Sequence, residues 1–89
     1  LVSYVLKNRA GICRIGITTS KKIGNAVERN RSRRVIRAAY CEIEDRINGN
    51  YDFVFVARSR TKYQKSTQIA QLMLSQLKEA GVIDETVHN

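Results

Sequence analysis

The chain has 89 residues, with 16 Lys and Arg against 8 Asp and Glu, and its formal net charge is +8. This length leaves room for one domain with a thin core, and 43% hydrophobic content argues against a disordered chain. The charge favours a polyanionic partner, either nucleic acid or an anionic membrane surface. A membrane-spanning helix is excluded, because the longest strongly apolar run, residues 53–57, is far shorter than the ~20 residues required.

The cysteines and the first residue bear on where the chain comes from. Cys13 and Cys41 lie far apart without a paired spacing, which indicates a reducing, cytoplasmic compartment rather than a disulfide framework. The sequence begins at Leu1, without an initiator Met, in a stretch that already reads as a strand. We therefore expect a trimmed chain from which an upstream element is missing.

The first two predicted elements are strands. Residues 1–7, LVSYVLK, are rich in β-branched and aromatic residues. Residues 12–19 alternate along the chain, which places Cys13, Ile15, Ile17 and Thr19 on one face. Because only the short polar bend 8–11 separates the two stretches, they predict a β-hairpin.

A long helix is predicted from Asn25 to Ile47. Asn25 is a suitable N-cap, and Glu28 follows it at the spacing of a capping box. Apolar residues repeat at the helical period and form one face: Ile36, Ala39, Tyr40, Ile43 and Ile47. The sequence Asn-Gly-Asn at 48–50 provides the stop.

The remaining elements are a third strand and a second helix. In residues 51–58, YDFVFVAR, Phe53 and Phe55 face one way and Val54 and Val56 the other, which predicts a central strand covered on both faces. A basic loop, 59–65, leads to a helix capped by Ser66 or Thr67 and ended by Gly81. Its predicted inner stripe consists of Ile69, Leu72, Met73, Leu77 and Ala80.

These elements predict an α+β fold in the order β-β-α-β-α, with a small sheet packed against helices. Residues 1–89 form a single domain in this interpretation, with a folded core at 1–81 and a flexible tail at 82–89. The segment from 12 to 58 is long enough for a parallel crossover, which general chirality rules predict to be right-handed.

Positive charge is concentrated in residues 21–37, KKIGNAVERNRSRRVIR. This stretch holds seven of the sixteen Lys and Arg and one carboxylate, Glu28, and therefore carries +6 of the net +8. On a helix, one sector about 100° wide beside the apolar face contains Asn30, Arg33, Arg34 and Arg37. Arg29 lies in line with the apolar stripe nearer the N-terminus, and Arg31 points away. Lys21 and Lys22 extend the patch into the preceding loop.

The polarity of this helix suggests a bound anion. Five arginines in its first half oppose the macrodipole, at a cost of about 0.3–1 kcal/mol each when poorly screened. Docked phosphates would offset that cost, and the planar guanidinium suits bidentate phosphate contacts better than lysine does. The alternative is a solvated cationic face that Glu28 and the later acids Glu42, Glu44 and Asp45 balance.

Other candidate residues are fewer. Tyr4 shares a strand face with Val2 and Leu6 and is a candidate for stacking on unpaired bases, whereas Phe53 and Phe55 fit the core better. Arg58 and Arg60 either extend the basic surface or serve only as solubilising charge.

Catalysis by the chain itself has little support. The one histidine, His88, lies in the predicted tail, and the sequence has no histidine–nucleophile pair and no metal-spaced cluster. If the chain takes part in nucleic-acid chemistry, we expect another component to perform the reaction.

Residues 20–37 closely resemble the signature of the bacterial ribonuclease P protein component, K-x-x-G-x-A-V-x-R-N-x-x-[KR]-R-x-x-R. The matching residues are Lys21, Gly24, Ala26, Val27, Arg29, Asn30, Arg33, Arg34 and Arg37. RIGITTS before it and DFVFVAR after it are similar to the strands that flank the basic helix in that family. The resemblance covers roughly residues 1–80.

The resemblance implies a ribonuclease P protein-like fold, also described as ribosomal protein S5 domain 2-like. Its βαβ crossover is left-handed, in place of the right-handed one that general rules favour. Family members begin with a helix that is not present in this sequence, and the missing helix would wall the cleft that holds the substrate.

The resemblance also implies a function. The chain would be the noncatalytic protein subunit of ribonuclease P, the ribonucleoprotein endonuclease that removes the 5′ leader of precursor tRNA. The RNA subunit would carry the active site and the Mg²⁺ ions, and the protein would bind no cofactor itself. The implied partners are the catalytic RNA and precursor tRNA, with one monomeric protein in a cytoplasmic 1:1 complex away from any membrane.

Site residues follow from the same match. The implied RNA-binding residues are Lys21, Lys22, Arg29, Asn30, Arg31, Arg33, Arg34 and Arg37. Of these, Arg29 and Asn30 would lie near the leader and the catalytic RNA, and the others would contact or support contact with the RNA subunit. Tyr4 and Arg58 would belong to the leader cleft.

Two other functions stay open at this point. A structural RNA-binding module of the ribosomal-protein type, without a processing role, suits the composition and the element order equally well. A nuclease that acts alone is disfavoured, because the sequence has no carboxylate or histidine constellation to support it.

Overall fold

The computed structural model describes residues 1–83. Its strands and helices are β1 (Val2–Lys7), β2 (Arg14–Thr18), α1 (Ala26–Ile43), β3 (Tyr51–Val56) and α2 (Ser66–Glu79). Short 3-10 turns lie before α1, after α1 and before α2, at Lys21–Ile23, Glu44–Arg46 and Thr61–Tyr63. The predicted order and the α+β class are therefore confirmed. No helix within residues 1–83 is long and apolar enough to cross a bilayer.

The three strands form one mixed sheet in the order β1-β3-β2. β3 pairs antiparallel with β1 and parallel with β2, so the predicted hairpin between β1 and β2 is wrong. Residues 8–13 instead cross the end of the sheet, and they easily span the ~10 Å that two strand spacings require. The central strand, β3, carries Phe53 and Phe55, which are 1% and 0% exposed.

The two faces of the sheet differ. Phe53 and Phe55 are buried under the helices, and α1 contributes Tyr40, whose ring centroid lies 5.9 Å from each of the two phenylalanine rings. On the opposite face Tyr4 pairs with Val54 across the strands, and the two are 58% and 37% exposed. The central position of β3 is thus confirmed, but the predicted cover on both faces is wrong for residues 1–83.

Both helices pack on the inner face. α1 buries Ile36, Ala39, Tyr40 and Ile43, as predicted. α2 buries Ile69, Met73 and Leu77, but Leu72 and Ala80 are exposed and Ala70 is buried in their place. The predicted stripe on α2 is wrong at these positions, because the helix turns the side that carries Ala70 toward the core.

The helix ends follow local chemistry. Asn25 Oδ1 accepts a hydrogen bond from the Glu28 backbone N–H at 2.9 Å, and Glu28 Oε1 accepts from the Asn25 N–H at 3.1 Å, which confirms the capping box. α1 ends at Ile43 rather than Ile47, and a 3-10 turn follows it. The N-cap of α2 is Lys65 rather than Ser66 or Thr67. Gly81, at φ 81°, ends α2 as predicted.

The folded core extends past residue 81. Val82 and Ile83 are 2% and 7% exposed. The Asn48 N–H donates to the Val82 carbonyl at 2.8 Å, and Ile83 forms a β-bridge with Ile47. The predicted tail at 82–89 therefore begins too early. Residues 84–89, with His88, lie outside the described residues.

Candidate nucleic-acid interface

The sheet topology gathers the basic segments. β2 and β3 run parallel, so their carboxyl ends lie at the same edge of the sheet, where the Ala57 N–H donates to the Thr18 carbonyl at 3.0 Å. Lys21 and Lys22 follow β2, and Arg58 follows β3; all three are exposed. The two basic stretches that are distant in sequence therefore begin at one edge of the fold, next to the start of α1.

One side of α1 presents an exposed surface that we call the arginine face, made of Val27, Asn30, Arg33, Arg34 and Arg37. Its members recur at three- and four-residue spacing, as the sequence predicts. Arg33 Nη1 donates to Asn30 Oδ1 at 3.0 Å, which orients one guanidinium beside the amide. A shallow depression of about 520 Å³ is lined by Val27, Asn30, Arg33 and Arg34. The face offers planar donors around a small apolar floor, a combination that fits phosphate and sugar groups.

Carboxylates do not neutralise the arginine face. Within residues 1–83 the two ion pairs join Arg14 to Asp52 at 2.7 Å and Lys62 to Glu28 at 2.9 Å. Glu42, Glu44 and Asp45 are exposed at the opposite end of α1 and take part in neither pair. Within residues 1–83, no ion pair therefore joins these acids to the arginine face, and the alternative of a solvated cationic face stays open.

The helix dipole acts on fewer of these arginines than the sequence suggests. Only Arg29 among the arginines lies in the first turn of α1, and the same turn contains Glu28, whose charge is favourable there. Dipole effects fall off within one turn. The positive charge of this surface comes from the close spacing of Arg33, Arg34 and Arg37 rather than from their position in the helix dipole.

Arg29 and Arg31 differ from the arginines of the arginine face. Arg29 is half-buried, and its Nη1 donates to the Gly24 carbonyl at 2.8 Å, so it folds back on the turn before α1. Arg31 is exposed but points away from the arginine face, as the helical projection predicts, and its Nε donates to the Lys62 carbonyl at 2.8 Å. These two guanidinium groups already have backbone acceptors in the folded chain.

Lys62 is the functional candidate that sequence reasoning missed. Its side chain is 14% exposed, and its Nζ donates to the Ile23 carbonyl at 2.5 Å and to Glu28 Oε2. The hydrogen bond between Lys62 and Glu28 is the main reason that the pKa of Glu28 is lowered and the pKa of Lys62 is raised. The residues near Lys62 in the sequence do not indicate this contact, because Glu28 lies in α1 and Lys62 in the 3-10 turn before α2.

Gly24 makes room for this contact. It has a φ of 142°, and an added Cβ would collide with Glu28 Oε1 and lie 3.1 Å from Lys62 Nζ. A side chain at this signature position would therefore displace the Glu28 carboxylate and disturb the pair.

A second groove, of about 400 Å³, runs between α1 and the start of α2. It is lined by Arg31, Arg34, Val35, Ala38, Gln64, Lys65 and Ser66. The groove extends the basic surface from α1 toward the N-terminus of α2, and no carboxylate is among its lining residues.

The two predicted leader-cleft residues, Tyr4 and Arg58, lie outside the arginine face. Tyr4 is on the open outer face of the sheet, with Leu6 beside it at 68% exposure. Arg58 is exposed just beyond β3, and its N–H donates to Thr61 Oγ1 at 3.0 Å. Phe53 and Phe55, at 1% and 0% exposure, are core residues and are not available for stacking.

Comparison with known proteins decides the family. The family model described as Ribonuclease P matches residues 1–81. The chain belongs to the ribonuclease P protein family. Its members are protein subunits of ribonuclease P, the endoribonuclease of tRNA 5′ processing, so a partner of this chain is ribonuclease P RNA. This membership favours a processing subunit over a ribosomal-type module.

Curated relatives agree with this assignment. The ribonuclease P protein component of Clostridium botulinum strain Langeland is 37% identical over 83 residues, which cover 92% of this chain and 75% of the relative. The component from Clostridioides difficile is 49% identical over 63 residues, which cover 70% and 55% of the two chains.

Solved structures agree as well. The Staphylococcus aureus ribonuclease P protein superposes with a TM-score of 0.75 at 34% identity and covers 92% of this chain and 75% of its own. The Thermotoga maritima protein, at 23% identity, shows the same fold with a TM-score of 0.74, covering 86% and 74% of the two chains. The left hand of the crossover stays a prediction.

Proposed function

We propose that this chain is the noncatalytic protein subunit of ribonuclease P and that its arginine face contacts the RNA subunit. The observation that carries the proposal is the state of Arg33, Arg34 and Arg37, which are exposed and unpaired with any carboxylate within residues 1–83. Guanidinium groups in this state gain the most from phosphate, since binding releases counterions and forms charge-assisted hydrogen bonds.

Lys21 and Lys22 lie in the turn before α1 and support this contact from the side. Asn30 adds an amide that can reach sugar or base edges as well as phosphate. Arg34 also lines the second groove, so an RNA strand that follows the arginine face can continue toward Lys65. The proposed RNA contact therefore covers one side of α1 and the start of α2.

The chemistry of the arginine face fits phosphate rather than metal. Its polar groups are guanidinium groups and one amide, whereas Mg²⁺ requires oxygen ligands, usually carboxylates together with phosphates. We therefore place the catalytic Mg²⁺ ions on the RNA subunit. In this proposal the protein positions RNA and substrate and screens phosphate repulsion, and the RNA performs the cleavage.

The outer face of the sheet is the proposed site for the leader of precursor tRNA. Tyr4 presents an exposed ring on an open sheet surface, and aromatic rings in this setting stack on unpaired bases. Arg58 at the adjacent edge is placed to hold a phosphate of the same strand. We further propose a monomeric protein in a 1:1 complex in the cytoplasm.

Reconstitution tests this function. The chain is added to a bacterial ribonuclease P RNA, and cleavage of a precursor tRNA with a 5′ leader is followed while Mg²⁺ is varied. We expect cleavage at lower Mg²⁺ than with RNA alone, because the protein supplies positive charge where phosphates meet. If a folded protein leaves the Mg²⁺ requirement unchanged, the proposal fails. Cleavage by protein free of RNA would overturn the noncatalytic role.

A further inference from the structure

The loop before α2 is fastened to the start of α1 by contacts in both directions. Lys62 Nζ donates to the Ile23 carbonyl and pairs with the Glu28 carboxylate. In the other direction, Arg31 Nε on α1 donates to the Lys62 carbonyl at 2.8 Å. Glu28 also caps α1 by accepting from the Asn25 N–H. The loop, the turn at 23–25 and the first turn of α1 are therefore joined through one lysine.

We infer that Lys62 is a positioning residue for the RNA-binding surface and does not itself contact RNA. It holds the turn at 23–25 and the first turn of α1 in one arrangement, and it thereby fixes where Lys21, Lys22 and the arginine face stand relative to each other. The inference rests on the proposed RNA-binding role of α1. It makes a residue outside the signature a determinant of RNA affinity.

The burial and the existing partners of the Lys62 ammonium group disfavour direct contact with phosphate. Only 14% of its side chain is exposed, and two of its ammonium hydrogens are directed at the Ile23 carbonyl and the Glu28 carboxylate. The ammonium also lies 5.2 Å from the centre of the Tyr63 ring. A phosphate would have to displace these partners to reach the charge.

The same contacts distinguish two arginines of α1, Arg29 and Arg31, from Arg34 and Arg37. Arg29 and Arg31 each donate to a backbone carbonyl, of Gly24 and Lys62, and brace the same junction. Arg34 and Arg37 have no hydrogen-bond partner among residues 1–83. Bracing lowers the ordering cost that binding would otherwise impose on the loop. Its loss should thus weaken affinity without removing a phosphate contact.

Two substitutions separate positioning from charge. Glu28→Gln keeps an oxygen that can cap Asn25 but removes the ion pair with Lys62. On charge alone, removing a carboxylate from a basic surface should strengthen RNA binding. Positioning predicts the reverse, a dissociation constant for ribonuclease P RNA that rises about 3-fold or more. Lys62→Met should raise it by about 3- to 10-fold.

The salt dependence supplies the second readout. Lys62→Met should leave the slope of log affinity against log salt unchanged, whereas Arg34→Ala should reduce it by about 0.7–0.9. Lys78→Met, which removes an exposed cation from the last turn of α2, is the matched control and should alter affinity little. Circular dichroism shows whether each variant is folded. If Lys62→Met does not fold, the affinity of Glu28→Gln alone tests the positioning role.

The outcomes are distinguishable. Weaker binding by Glu28→Gln together with an unchanged slope for Lys62→Met supports positioning. Tighter or equal binding by Glu28→Gln, or a slope that falls in Lys62→Met as in Arg34→Ala, overturns it while the proposed function stands. If Arg34→Ala changes neither affinity nor slope, the proposed function of the arginine face fails instead.

Discussion

Arg14 Nε lies 2.7 Å from Asp52 Oδ1, and Arg14 Nη2 lies 2.9 Å from Asp52 Oδ2, across the parallel pair of β2 and β3. The register places the two residues directly opposite each other, so the fork meets the carboxylate with both nitrogens. Arg14 is thus an arginine whose charge is paired with a carboxylate inside the fold. Arg34 and Arg37 on α1 stand in clear contrast, since neither has such a partner within residues 1–83.

The Arg14–Asp52 pair predicts a pH dependence of stability. The hydrogen bond from Arg14 lowers the pKa of Asp52. The Asp52 carboxyl group therefore binds a proton less tightly in the folded chain than in the unfolded chain. The ion pair stabilises the fold fully above the ordinary Asp pKa of about 3.9. It is lost as the pH falls through the lower folded value.

Urea unfolding of wild type and Asp52→Asn at a series of pH values measures this effect. The gap in unfolding free energy should be constant near neutral pH and should close in acid. Asp45→Asn, an exposed carboxylate outside both ion pairs of residues 1–83, controls for the loss of one charge. A gap that stays constant down to pH 2 would remove the ion pair as its cause.

The core predicts a large difference between the two faces of β3. Phe55 is 0% exposed and packs on Tyr40, so Phe55→Ala should cost about 3–5 kcal/mol of unfolding free energy, a large part of what a small domain has. Val54→Ala, one residue away on the outer face, should cost about 1 kcal/mol or less. Denaturant unfolding of both variants checks this, and equal losses would show that the outer face is also covered.

Tyr4 carries the prediction for substrate selectivity. If its ring stacks on a leader base, Tyr4→Ala should weaken binding of precursor tRNA to the reconstituted enzyme by about 1–3 kcal/mol. Binding of mature tRNA, which has no leader, should be unchanged, and Tyr4→Phe should keep most of the affinity because it keeps the ring. Equal losses for precursor and mature tRNA would place the leader elsewhere.

Some local features of this chain could be predicted from the sequence, whereas its long-range pairings could not. The capping box of Asn25 and Glu28 and the stop at Gly81 depend on neighbouring residues, and both are confirmed. The predicted hairpin is wrong because β3, which lies far along the chain, is inserted between β1 and β2, and nothing in the residues of β1 and β2 indicates this insertion. Correct strand order would have revealed the Arg14–Asp52 pair as well.

The candidate RNA-binding site also combines a local feature that the sequence predicts with a long-range contact that it does not. The arginine face follows from helical spacing, which the sequence contains in full. The Lys62 contact joins α1 to a loop 34 residues away, and a single basic residue in a basic loop carries no sign of its partner. Ala70 takes the buried position expected of Leu72 for a similar reason: the rotation of α2 is set by what it packs against.

Salt dependence of binding to ribonuclease P RNA tests most directly that the arginine face is the RNA contact surface. Arg33→Ala together with Arg37→Ala removes two proposed phosphate contacts and should flatten the log–log slope by about 1.4–1.8, with Arg46→Ala in the 3-10 turn after α1 as the control. A folded double variant whose slope and affinity match those of wild type would contradict the account.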